Sequence, residues 1–129
     1  LGGCPFDRPR LAYRDVTAQT NQQTLIAAIV PSGCATGHSL FCLRNDLDLR
    51  TQRALCALLN SSVANFLVRL FVSAHVTTAL IAWLPVPDKA AAVEALGRRD
   101  PARVPRAELD AAAAALYGVA ADELALLSR

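Results

Sequence analysis

Two arginines, Arg10 and Arg14, stand directly before a mostly polar connector, Thr17-Ala18-Gln19-Thr20-Asn21-Gln22-Gln23, which leads to Thr24. Guanidinium groups bind phosphate oxygens, and Thr, Asn and Gln side chains offer the donors and acceptors that read base edges. A tight turn between two strands would normally carry Gly, Asn-Gly or Asp-Gly. This connector has neither Gly nor Pro. Arg10, Arg14, Thr17, Asn21 and Thr24 are therefore candidate DNA-binding residues. The competing reading is a solvated hairpin loop in which Asn21 and Thr24 fix the backbone by hydrogen bonds.

Catalysis finds less support. His38 and Ser39 are adjacent, and neighbours on an extended chain point to opposite sides, so they make a poor nucleophile–base dyad. Asp46 and Asp48 lack a third ligand at metal-binding spacing. Cys4, Cys34, Cys42 and Cys56 form no CxxC pair, which argues against zinc and for reduced, packed thiols, although Cys34 and Cys42 could face each other across a hairpin. Gly33 and Gly37 are followed by neither the lysine nor the helix start of a phosphate loop. An Asn-Pro-Pro-Tyr type segment, which holds the target adenine in amino-methyltransferases, does not occur in the chain.

The elements that would position these residues follow from periodicity and punctuation. Arg10–Val16 alternates apolar and charged residues, as a strand does. Thr24–Val30 is a continuous apolar and β-branched run that Pro31-Ser32-Gly33 stops, which predicts a buried strand. Leu40–Leu43 reads as a third strand. Asp48 can cap a helix whose apolar residues, from Leu55 to Leu70, recur at three- and four-residue steps. Asn60-Ser61-Ser62 within it marks a close contact or a bend. Periodicity leaves Thr78–Trp83 open between helix and strand. Leu84-Pro85-Val86-Pro87 is extended by its prolines. Asp88, Gly97, Gly118 and Ala121 then delimit three further helices with thin apolar stripes, which pack on something else. The expected fold is α/β: a small, mainly antiparallel sheet from residues 10–45 packed on one long helix, 48–71, with trailing C-terminal helices. Residues 1–87 form the α/β domain and 88–129 a helical extension.

Composition sets bounds on partners. A hydrophobic share of 53% suffices for a core and argues against disorder. The net charge of +2 is unevenly spread, with +3 over residues 1–75 and −1 over 76–129. That permits phosphate contacts without the excess of a free-standing nucleic-acid binder. Aromatic content of 5% argues against a stacking platform for single strands. No apolar run reaches the ~18 residues of a membrane span, and with no signal peptide in view a cytoplasmic location is expected. The Leu1-Gly2-Gly3 start without methionine suggests a piece of a larger protein.

Taken in order, Arg14-Asp15-Val16, Thr20-Asn21, Thr24-Leu25-Ile26-Ala27-Ala28-Ile29-Val30-Pro31, Gly37-His38-Ser39-Leu40, Leu58-Leu59-Asn60-Ser61, His75 and Trp83-Leu84-Pro85-Val86-Pro87 resemble the C-terminal target-recognition region of TaqI-like adenine-specific DNA methyltransferases. That group includes type IIG and phage-defence modification enzymes. The likeness continues through Leu109–Leu124, covers most of the chain, and is also similar to half of a type I restriction specificity subunit. It implies a fragment that clamps double-stranded DNA and reads the target, with no activity and no cofactor of its own; Arg14, Thr17, Asn21 and Thr24 match its strand–loop–strand pattern, and His38, Ser39 and His75 match polar positions in its later loops, which the resemblance adds to the DNA-binding set. The S-adenosylmethionine site and catalytic motif would lie in a methyltransferase domain N-terminal to Leu1. The rival class is a protein-interaction or structural domain, in which the long helix and the Ala/Leu-rich tail form a partner interface.

Overall fold

The computed structural model describes residues 7–44 and 46–128. Cys4 and Asn45, together with most of the irregular N-terminal entry, lie outside them. The fold is a three-stranded antiparallel sheet with six α-helices among the described residues, an α/β mixture as expected. Strand β1 (Arg10–Arg14) is central, flanked by β2 (Ala27–Val30) and β3 (Leu40–Cys42). Tyr13 lies opposite Ala27 on one side and Phe41 on the other. The alternation of β1 sends Leu11 and Tyr13 into the core, and the Tyr13 and Phe41 rings meet at 5.6 Å between centroids.

The second strand begins at Ala27, three residues later than its apolar run suggests, and it is not the buried strand expected: it forms an edge of the sheet, with Ala27 buried, Ala28 exposed, and Ile29 and Val30 half-buried. The Thr24 and Leu25 N–H groups, which a longer strand could use in a ladder, instead donate to Asn65 Oδ1 at 2.8 and 3.1 Å. A side chain forty or more positions away thus bears on where the strand starts.

The expected single helix over 48–71 is two helices, α1 (Leu49–Leu59) and α2 (Ser62–Phe71), bent by 61°. Asp48 caps α1 by accepting from the Thr51 N–H at 2.8 Å. At the break, the Asn60 carboxamide accepts from Ala27 N–H and donates to Ala27 C=O, each at 2.8 Å. Ser61 then becomes the cap of α2, accepting from Ala64 N–H and donating to Leu58 C=O. Each residue of the Asn-Ser pair serves a different helix end, which is the physical reason for the bend. No single described helix is long and apolar enough to cross a membrane; α1 and α2 meet that test only together, across the bend.

Thr78–Trp83 is a short helix, α3, capped by Thr77. Leu84 follows in extended conformation and is buried against the sheet core with Leu11, Tyr13, Leu25, Val68 and Val76. Asp88 caps α4 (Lys89–Leu96) and Gly97 ends it. A 3₁₀ turn at Pro101–Arg103 leads to α5 (Arg106–Leu116), which Gly118 terminates at a positive φ of 72°. The last helix, α6, spans Ala121–Leu127.

These trailing helices pack on α1. Ala54, Ala57 and Leu58 form a second core with Ala92, Leu96 and Ala113. Tyr117 donates its hydroxyl to Pro85 C=O at 2.8 Å. Helix α1 therefore lies between two cores, with the sheet on one side and α4 and α5 on the other.

Candidate nucleic-acid interface

The polar connector leaves β1 at the end of the sheet where β3 begins. Asp15 N–H donates to Ser39 C=O at 3.0 Å, Val76 N–H to Asp15 C=O at 2.8 Å, and Thr17 N–H to Ala74 C=O at 3.0 Å. Val16 and His75 pair as an isolated bridge. Three separate stretches, 15–17, 39 and 74–76, are thereby tied together beside the connector.

The loop closes on itself. Thr17 donates its hydroxyl to Thr24 C=O at 2.7 Å, and Asn21 N–H reaches Ala18 C=O at 3.1 Å. Arg14 donates to Thr17 Oγ1 and to Gln23 C=O, both at 3.3 Å. The loop is then held from behind by α2. Asn65 takes the two N–H groups described above. Arg69 donates to the Asn21 and Gln22 carbonyls at 2.5 and 2.6 Å and to Thr24 Oγ1 at 3.1 Å. Gln19 reaches back to the Arg69 and Val72 carbonyls, which are acceptors left over at the end of α2. From α5, Arg106 donates to Gln23 Oε1 and to Asn60 C=O.

The sequence candidates fall into three groups in space. Thr17 and Thr24 are buried, and with Asn21 and Arg14 they brace the loop. Ser39 and His75 sit near the loop through Asp15, and His75 Nδ1 lies 3.2 Å from Asp15 Oδ2. His38 is exposed in the turn before Ser39. Arg10 is apart from the others, at the far end of β1, buried and donating to Cys34 C=O on the turn after β2. The exposed side chains of the connector are Gln19, Thr20 and Gln22, and Gln19 is engaged by α2. Beside them lies a polar groove of about 880 Å³, lined by Gln22, Gln23, Arg69, Arg106 and Asp110 among others.

Asn65, Arg69, Gln19, Gln23 and Arg106 were not identified from sequence. Arg69 falls off the apolar stripe of its helix, where a solvated position is the ordinary expectation. The weak signal available was polarity at Asn60 and Asn65 within an otherwise apolar run.

No described group of three His, Cys, Asp or Glu residues could hold a metal ion. Cys34, Cys42 and Cys56 are free thiols; Cys42 contacts Thr36 Oγ1 at 3.2 Å. Burial pushes the Cys56 thiol up to about 11, with Asp100 adding to the effect. Burial also raises the Tyr13 phenol, helped by nearby Asp15. Gly33 and Gly37 lie in the exposed segment between β2 and β3, and neither opens a helix. No family model, curated protein or solved structure matches the chain.

Proposed function

We propose that this chain reads duplex DNA as the target-recognition part of an adenine-specific DNA methyltransferase of the restriction–modification or phage-defence kind. The observation that carries the reading is the connector: a long polar loop locked by Arg14, Asn65 and Arg69, with Thr20 and Gln22 left exposed beside a groove containing Arg69 and Arg106. Base readout needs donors and acceptors whose positions are set before binding, because ordering a free loop on DNA costs affinity. In this reading Thr17, Asn21 and Thr24 position the loop, while Thr20 and Gln22 meet base edges and Arg106 meets phosphate. Methyl transfer and its cofactor would belong to another part of the same enzyme.

The test is selection from a randomised duplex library by the full-length protein at low salt. A short enriched motif is expected, and Gln22→Ala should relax one position of it by ~1–3 kcal/mol without changing thermal stability. Arg106→Gln should weaken binding and flatten the salt dependence. Failure to enrich any motif, with no affinity even at low salt, removes the proposal.

A second reading, a protein-interaction domain, has one observation in its favour. Leu70, Phe71 and Trp83 are each more than half exposed, and the Phe71 and Trp83 rings meet edge to face at 4.7 Å. Large exposed apolar groups in contact are a common mark of a protein partner. A concentration-dependent oligomer formed without DNA, and abolished by Trp83→Ser, would favour it.

A further inference from the structure

A second cleft, which shares Arg106 and Asp110 with the connector's groove, lies between the free edge of β2 and helix α1. It encloses about 480 Å³ and is walled by Ala28, Ile29, Leu49, Ala57, Val104 and Leu109, with Arg53 among the polar residues that join them. The size is within the range of ligand-binding clefts.

The hydrogen-bonding state of the strand edge is informative. Leu11 C=O accepts from Leu43, so the odd-numbered residues of β1 face β3 and the even-numbered ones face β2. The register then turns the N–H and C=O of Ala27 and Ile29 away from β1. At Ala27 both groups are taken by the Asn60 carboxamide, as a neighbouring strand would take them. At Ile29 neither group has a partner among the described residues. The edge is closed at one end and open at the other.

Charge in the cleft is similarly uneven. The Asp100 carboxylate accepts from Ala102 N–H, and Asp110 accepts from the Ser62 N–H and hydroxyl. Arg106 is engaged by Gln23 and Asn60. Arg53 is half-buried, and its guanidinium makes no hydrogen bond or ion pair among the described residues. Two turns of α1 separate it from Asn60, roughly 10 Å at the helical rise, which is also about the distance from Ala27 to Val30 along an extended strand.

We propose that this cleft binds an extended peptide segment of a partner protein, which adds a strand to β2 at Ile29, lays an apolar side chain against Leu49, Ala57 and Val104, and offers a carboxylate to Arg53. Main-chain bonds to Ile29 supply register, the apolar wall supplies selectivity, and the Arg53 pair discriminates acidic from neutral segments. Thr20 and Gln22, the side chains assigned to base readout, do not line this cleft, so the two proposals are tested through different residues.

The experiment is NMR titration of the isotope-labelled chain with blocked tetrapeptides, acetyl-Val-Xaa-Val-Asp-amide, where Xaa is Val, Leu, Ile or Phe. For at least one of them the Ile29 amide should shift saturably and become protected from exchange. Replacing the peptide Asp by Asn should weaken binding about five-fold or more. The Arg53→Gln variant should bind the Asp and Asn forms alike. Methylating the peptide's central amide nitrogens in turn leaves the protein's own fold untouched, and one such peptide should lose binding. The proposal is overturned if the Ile29 amide stays unmoved with all four peptides at millimolar concentration. It is equally overturned if Asp and Asn forms bind the wild-type chain equally, if no methylated form is impaired, or if sodium acetate alone reproduces the whole response.

Discussion

Asn65 shows how much of this molecule rests on single polar side chains. Its carboxamide is buried, accepts two backbone N–H groups and donates to Gln22 C=O at 3.4 Å. Replacing it by alanine leaves two buried donors without acceptors, each worth ~1–3 kcal/mol. Urea unfolding of Asn65→Ala should therefore show a loss of about 2–4 kcal/mol, and proteolysis should begin within residues 19–23. Cys56 gives a second residue-scale prediction. Its thiol ordinarily ionises near 9.0 and in the fold near 11, because burial opposes the thiolate. The folded state then holds a proton that the unfolded state releases, so stability falls as pH rises from about 9 to about 11, by roughly 2–3 kcal/mol in all. Tyr13 and Tyr117 are raised in the same direction and add their own alkaline loss. Comparing the wild type with Cys56→Ala across pH 8 to 11 isolates the thiol's share: the variant should show the shallower decline, whatever its absolute stability. Cys34, being exposed, should react with a thiol reagent in the native protein, and Cys56 only after unfolding.

Among the elements, the contacts that decide the arrangement are those at helix ends. Asp110 of α5 accepts from the N-terminal Ser62 of α2, at an end where a carboxylate is favoured by the exposed N–H groups. Asp110→Ala should cost about 1–3 kcal/mol, read by chemical denaturation, and should loosen α5 without melting the sheet. Gly97 sets a different limit. A Cβ there would lie 2.6 Å from Val93 C=O and 2.7 Å from Arg50 C=O, both main-chain atoms. Here α4 approaches the first turn of α1 so closely that only glycine fits. Gly97→Ala should lower the melting temperature, with a cost of about 1–3 kcal/mol from forced separation of the two helices.

Across the whole molecule, α1 couples the sheet to the trailing helices. Ala54, Ala57 and Leu58 lie outside the sheet core and pack in the second core with residues of α4 and α5. A chain ended at Pro87 would expose that face. It should lose cooperative unfolding by circular dichroism, or associate through the exposed stripe, even though its sheet and α2 retain their own contacts. The same coupling links the proposed reading loop to the C-terminal helices, since Arg106 of α5 holds Gln23 and the end of α1. Loss of α5 should therefore disturb the loop as well as the second core.

What the sequence alone determined was local. The Asp48 and Asp88 caps, the stops at Gly97 and Gly118, and the existence of β1 all depend on neighbours within a few positions, and the α/β class follows from them. The tertiary structure decided where the apolar run after Thr24 becomes a strand, where the long helix breaks, and what the polar connector's side chains do. Each of those outcomes turns on a pairing between residues 33 to 48 positions apart: Ala27 with Asn60, Thr24 with Asn65, Asn21 with Arg69. A donor or acceptor in a sequence carries no mark of its partner. An asparagine in an apolar run and an arginine off a helical stripe read as solvated until the fold brings a strand end against them. For that reason Arg14, Thr17, Asn21 and Thr24 were legible as a polar set, with bracing by Asn21 and Thr24 one of two open readings, while the partners they brace, and the outward position of Thr20 and Gln22, emerged only once the backbone groups they hold could be located.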